Sequence, residues 1–275
     1  MRSKFYLDNA TPLEISYSLL CANIDEELNK DDFMERFNSK NYTVGTKYHD
    51  NFRRLVDLGA FSEKTVKGDA RKYYTLTPLG EKLKNVLYFS EDLFYEVLHY
   101  LHYYFSLDCY TREYFWTYKF ICDNIYRLED LSSANQILNP LIEELQTKFN
   151  KTRIAIDGRS IYKAINMLKA LNKLSPIQEN QVVPRKVLLD PQLLLVAIDY
   201  AYRICELNYG IPLVLTQNVK ETLCQFCFLD KSSLDQYLEH LISKLFIRNN
   251  FGVAGQAIIL DQGFDIGNWL EERFS

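Results

Sequence analysis

From Thr43 to Thr77 the chain spells out an amphipathic helix, a glycine and two short strands around a charged turn, and few folds accommodate that succession. Val44, Tyr48, Phe52, Leu55 and Val56 fall on one side of a helix predicted over Thr43–Leu58, because apolar residues three and four apart share a face. The other side carries Thr46, Asp50, Arg53, Arg54 and Asp57, flanked by Lys47 and His49. Gly59 ends the helix, since a residue without a Cβ takes the left-handed C-cap conformation at little cost. Strands are predicted over Ala60–Val66 and Lys72–Thr77, joined by Lys67-Gly68-Asp69-Ala70-Arg71. Helix, cap, strand, basic tip and strand form a geometry that sets a helix into a groove with a charged hairpin beside it.

The flanking segments extend the pattern. Thr11-Pro12-Leu13-Glu14 reads as a capping box with proline at the first helical position, opening a helix that runs to about Asn23. A short second helix is expected from Asp31 or Asp32 through Phe37, and Thr77-Pro78 caps a further helix leaving the hairpin.

Residues 94–126 hold thirteen aromatics, yet the surrounding stretch is strongly acidic. A strip that stacks single-stranded bases needs basic residues to hold the backbone. Leu93, Val97, Leu98, Leu101 and Phe105 recur at helical spacing, so the rings are expected in the core of a helical hairpin. His99 and His102 lie one turn apart, but two imidazoles fall short of the four ligands of a zinc site.

Arg159–Leu174 forms a second amphipathic pattern, with Ile161, Ala164, Ile165, Leu168 and Leu171 inward. Arg159, Lys163, Asn166, Lys169 and Lys173 point largely outward, Ser160 is the candidate N-cap, and Ser175-Pro176 stops the helix. Lys148, Lys151 and Arg153 precede it, making this the most basic part of the chain. Such a face suits a DNA backbone or an acidic partner, or is simply solvated.

The last third repeats the first layout. Helices are expected over Gln192–Cys205 and Val219–Phe228, and a third begins after Asp230 with Leu234, Tyr237, Leu238, Leu241, Ile242 and Leu245 inward. Phe246–Arg248, the tip Asn249–Gly255 and Gln256–Leu260 read as strand, turn and strand. The outward face here is Asp235, Gln236, Glu239, Ser243 and Lys244, and the tip has no lysine. An acidic face is repelled by phosphate, so Asp235, Gln236 and Glu239 are candidates for contact with a protein partner. Cys224 and Cys227 are a lone CxxC in an apolar helix, expected as buried thiols.

Composition narrows the function classes. The net charge is −4, but it is unevenly placed: residues 43–86 carry +4 and 148–186 carry +7, while 90–147 carry −7. Binding to phosphates follows local charge, so two basic blocks in an acidic chain suit two faces meeting one duplex; mutual neutralisation at domain contacts is the alternative. No apolar run reaches the roughly 18 residues of a membrane helix, and the start lacks the features of a signal peptide. Six scattered cysteines fit reduced thiols in a cytoplasmic protein. No phosphate loop, GxGxxG, nucleophile elbow or HExxH occurs, so the chain is expected to be non-enzymatic, with no cofactor and no metal.

Residues 43–80 resemble the second half of a winged helix-turn-helix, and within them Tyr73-Tyr74-Thr75-Leu76-Thr77-Pro78-Leu79-Gly80 resembles the end of the wing in many bacterial winged-helix regulators. That resemblance covers about 75 residues and implies the fold more than the function. Over most of the chain, the order of elements around Phe115-Trp116-Thr117-Tyr118-Lys119 is similar in layout to an uncharacterised family of accessory proteins of DNA phosphorothioation and phage-defence systems. The expected fold is mainly α: tandem winged-helix domains with small hairpin wings joined by a helical middle region. The divisions fall at 1–88 (winged helix), 89–147 (acidic aromatic hairpin), 148–186 (basic helical segment) and 187–275 (second winged helix). Two functions stay open. In one, the chain binds duplex DNA through Thr46, Lys47, His49, Arg53, Arg54, Lys67, Arg71 and Lys72, with Lys151, Arg153, Arg159, Lys163, Lys169 and Lys173 adding backbone contacts. In the other it is an interaction scaffold in a larger assembly, without DNA contact. No membrane role is implied, and nothing in the pattern sets an oligomeric state.

Overall fold

A computed structural model describes residues 7, 11–45, 50–108, 113–150, 154, 156–252 and 255–274. The chain is mainly helical with small antiparallel sheets. In chain order the elements are α1 (Pro12–Cys21), β1 (Leu28–Asn29), α2 (Lys30–Ser39), α3 (Asp50–Asp57), β2 (Phe61–Thr65), β3 (Lys72–Leu76), α4 (Pro78–Phe89), α5 (Glu91–Tyr104), α6 (Glu113–Tyr126), α7 (Leu138–Phe149), α8 (Gly158–Lys169), β4 (Ile177–Gln178), β5 (Gln181–Val182), α9 (Leu194–Ile204), β6 (Leu213–Val214), α10 (Gln217–Cys227), α11 (Lys231–Ser243), β7 (Arg248–Gly252), β8 (Gly255–Ile259) and α12 (Ile266–Phe274). They form two compact units: residues 7–95 with 267–274, and residues 96–266.

Caps written into the sequence fix the first unit locally. The Thr11 hydroxyl accepts from the Glu14 N–H at 3.2 Å, and the Glu14 carboxylate accepts from the Thr11 N–H at 3.3 Å. Glu14 also accepts from the Gly45 N–H at 2.7 Å, so one buried carboxylate serves both the start of α1 and the segment ahead of α3. α2 begins at Lys30, earlier than Asp31 or Asp32, because Asn29 supplies the cap and Asp32 reaches back to the Asn29 N–H at 2.8 Å. The helix expected from Thr43 is shorter at its start: Thr43–Gly45 is not helical, and among the described residues α3 spans Asp50–Asp57. Gly59 takes φ +78°, as its place after α3 requires.

Thr77 caps α4 through the Gly80 N–H at 3.1 Å and donates its hydroxyl to the Gly59 carbonyl at 2.6 Å. A Cβ on Gly80 would stand 2.1 Å from the Ala60 carbonyl oxygen, so only glycine lets α4 leave the hairpin at this point. Phe33, Phe52, Phe61 and Tyr74 form the ring cluster of the core, with Phe33 and Phe52 centroids 4.5 Å apart. α12 belongs to this unit: Lys82 donates to the Gly267 carbonyl at 3.1 Å and to Glu271 at 2.7 Å, and Trp269 and Leu270 are buried.

In the second unit the aromatic middle is core, as its periodicity implies. Tyr100, Tyr103, Phe115 and Tyr118 are fully buried, and Tyr103 packs on Phe226 of α10 with centroids 4.5 Å apart. His99 is buried with both ring nitrogens occupied, Nδ1 2.8 Å from the Tyr118 hydroxyl and Nε2 3.0 Å from the Phe226 carbonyl. A carbonyl only accepts, so Nε2 carries a proton. Burial, followed by the nearby Arg185 charge, holds its pKa down to about 3. Cys224 and Cys227 are buried free thiols, raised to about 11 and about 12 by burial.

α8 starts one turn from its expected cap. Asp157, not Ser160, accepts from the Arg159 N–H at 3.0 Å, while Ser160 is buried in the helix. Leu245, expected inward, is 85 % exposed at φ +61° because α11 ends at Ser243.

The two units share a plan. In the first, α1, β1, α2, α3 and the β2–β3 hairpin give a sheet ordered β1-β3-β2. In the second, α9, β6, α10, α11 and the β7–β8 hairpin give a sheet ordered β6-β8-β7. Helix, short strand, two helices and a hairpin recur with the last strand in the middle both times.

Candidate nucleic-acid interface

α3 is positioned by burying Phe52, Leu55, Asn51 and Arg54. Arg54 is therefore misplaced by the sequence reading: it is only 4 % exposed, and its guanidinium belongs to the interior of the unit. The apolar residues put the buried face at Phe52, Leu55 and Val56, whereas Asn51 and Arg54, three residues apart, extend it to the other flank and leave Val56 half-buried. Arg53 is exposed and pairs with Asp57 one turn on at 3.8 Å. Thr46, Lys47 and His49 lie outside the described residues, as do Lys151 and Arg153 and the side chain of Lys173.

Between α3, the start of α2 and the hairpin lies a cleft of about 740 Å³. Its cations are Lys30, Arg53, Arg71 and Lys72, and its carboxylates are Asp31, Asp50, Asp57 and Glu63. Lys30 was not anticipated; only the position of α2 brings it here, and its own neighbours in sequence give no sign of it. The hairpin cations lie beside acids. Lys72 donates to Glu63 at 2.8 Å, Lys64 to Glu27 at 2.8 Å, and Arg71 to Asp69 at 3.1 Å. The hydrogen bonds from Arg71 hold the Asp69 carboxyl well below the usual range. Exposed pairs of this kind are weak, because solvent screens them, so the cations remain available to a stronger anion. Lys67 at the tip is exposed.

The second basic face is on α8. Arg159 and Lys169 are exposed together with Tyr162 and Asn166, and Lys163 is half-buried. Arg159 is engaged by Asp157 at 2.8 Å. Lys148 lies 5.8 Å from the ring centre of Trp116. Arg185, counted in the same basic block, is wholly internal. It donates to Glu96 at 2.8 Å and to the Cys227 carbonyl at 2.6 Å, and Glu96 also accepts from the Leu189 N–H at 3.0 Å. Burial works against the Arg185 charge, but the Glu96 carboxylate outweighs it and raises its pKa. The block is thus less basic at its surface than its composition implies.

On α11, Asp235, Gln236 and Glu239 are exposed as expected, and Lys220 donates to Asp235 at 2.7 Å. Another carboxylate, Asp199 of α9, is fully buried and accepts from Tyr104, Tyr209, Arg203 and the Phe264 N–H at 2.5–3.1 Å. With every acceptor position occupied by a donor of the fold, it acts as an internal anchor. No group of three or more metal-ligating side chains occurs among the described residues. Among the described residues no helix is long and apolar enough to cross a membrane.

Comparison with models of known protein families, with curated proteins and with solved structures finds no match.

Proposed function

We propose that the chain is a non-enzymatic tandem winged-helix protein whose first copy docks on duplex DNA, as an accessory of a DNA-modification or phage-defence assembly. The observation that carries this reading is the repeated plan: helix, strand, helix, helix and hairpin, with strand order 1-3-2 in both sheets. In the first copy, Arg53 on α3 and Lys67, Arg71 and Lys72 on the hairpin are cations that a phosphate backbone would meet. The α8 face with Arg159, Lys163 and Lys169 adds a second set of backbone contacts.

Protein scaffolding is the second reading, and the charge balance of the cleft favours it, since among the described residues four carboxylates oppose four cations there. A mobility-shift titration separates the two. The DNA reading expects a shift at about 50 mM salt and a log–log slope of about −3 to −4 for the first copy's four cations. Exchanging Asp50 and Asp57 for Asn should tighten binding by removing repulsion. Absence of any shift at that salt, for the parent chain and for the Asn variant alike, overturns the DNA reading in favour of the scaffold.

A further inference from the structure

Each hairpin leaves one strand at the rim of its sheet, and the two rims differ in chemistry. In the first unit the rim strand is β2, where Glu63 and Lys64 project and each is ion-paired, to Lys72 and Glu27. Charged side chains on a rim keep other strands away. In the second unit the rim strand is β7, Arg248-Asn249-Asn250-Phe251-Gly252, and its central three residues carry no charge. Its one charge, Arg248, is bound by Asp261 at 2.9 Å. Phe251 is 75 % exposed, and Leu245 and Phe246, just ahead of the strand, are exposed as well. This rim lacks the protection that β2 has.

The register states which groups it offers. Gly252 pairs with Gly255 and Asn250 with Ala257. The pair flanking a two-residue hairpin connection exchanges both main-chain bonds, and such pairs alternate along an antiparallel ladder. Asn250 therefore bonds inward to β8, while the N–H and C=O of Asn249 and Phe251 face outward. Among the described residues these outward groups have no main-chain partner.

We propose that β7 pairs antiparallel with β7 of a second copy of this chain, about a two-fold axis at Asn250. In that arrangement Asn249 of each copy lies opposite Phe251 of the other and exchanges both main-chain bonds with it. Arg248 lies opposite Gly252, so no cation meets a cation and no carboxylate meets a carboxylate. The strand is complementary to itself in hydrogen bonding, and its single charge per copy meets no like charge across the junction. The result is a continuous six-stranded sheet, β6-β8-β7 joined to its symmetry copy, and each exposed Phe251 packs over the junction.

Sedimentation of the full chain at micromolar concentration tests this. The expected species has twice the 32.4 kDa chain mass. Asn250→Lys places two lysines face to face on the axis, about 5 Å apart, and should give single copies. Asn250→Glu alone should do the same, whereas mixing the two variants should restore the pair, because the opposed charges now attract. Asn249→Pro removes an outward donor without touching the β7–β8 ladder and should also abolish pairing; circular dichroism confirms the fold of each variant. A parent chain that sediments as one copy overturns the proposal. So does a dimer that survives Asn250→Lys, Asn250→Glu and Asn249→Pro, since its interface then lies elsewhere.

Discussion

Arg53 and Arg54 are neighbours in sequence and differ in every physical respect that matters here. Arg53 stands in solvent beside Asp57, and Arg54 is enclosed. Arg53→Ala is expected to leave stability within about 0.5 kcal/mol of the parent while weakening DNA binding. Arg54→Ala should cost about 1–3 kcal/mol, because it strips a buried polar partner from its surroundings. Thermal melts of the two single variants decide this, and equal melting temperatures would show that Arg54 is not structural. Gly80 supplies a second test at the same scale. Its α-carbon faces the Ala60 carbonyl with no room for a methyl group, so Gly80→Ala should lose about 1–3 kcal/mol, although alanine is the better helix former. A stabilised Gly80→Ala would mean that α4 leaves the hairpin differently.

Among whole elements, α3 and α11 occupy equivalent places in the repeated plan, and α11 exposes the carboxylates of Asp235 and Glu239. Replacing Asp235 and Glu239 with alanine should leave DNA affinity unchanged or slightly higher, since the change removes only exposed negative charge. A clear fall in DNA affinity with the circular dichroism spectrum intact would reverse the roles assigned to the two copies. Elements were legible in the sequence wherever their determinants are local. The Thr11–Glu14 box, the Gly59 cap, the Thr77 cap and the two hairpins all rest on residues within a few positions of one another. What escaped was non-local or polar. The non-helical Thr43–Gly45 segment is held where the Gly45 N–H meets Glu14, 31 residues earlier, and the enclosure of Arg185 depends on Glu96, 89 residues away. The burial of Asn51 and Arg54 escaped for another reason. Periodicity counts apolar residues, so a polar residue on the inner face is assigned to the outer one.

Acid sensitivity is a property of the molecule as a whole, and His99 contributes a defined part. The ring is held near pKa 3 in the fold against about 6.5 in the unfolded chain, so the unfolded state binds the extra proton first. The stabilisation is fully present above about pH 6.5 and declines as pH falls toward 3, by up to about 1.4 kcal/mol per pH unit. Denaturant midpoints measured between pH 4 and 6.5 should fall with acidity, and His99→Gln should flatten that dependence. An unchanged slope in the variant would assign the acid lability to other groups.

α12 has a further consequence, which concerns the order in which the chain is made. Trp269 and Leu270 are buried in the unit whose other residues are 7–95, while residues 96–266 form a unit of their own. During synthesis residues 7–95 emerge before the helix that covers part of their apolar surface, and residues 96–266 are translated in between. The first unit is therefore completed only after residues 96–266 have been made, and a nascent chain stalled before Gly267 exposes the surface that Trp269 and Leu270 later cover.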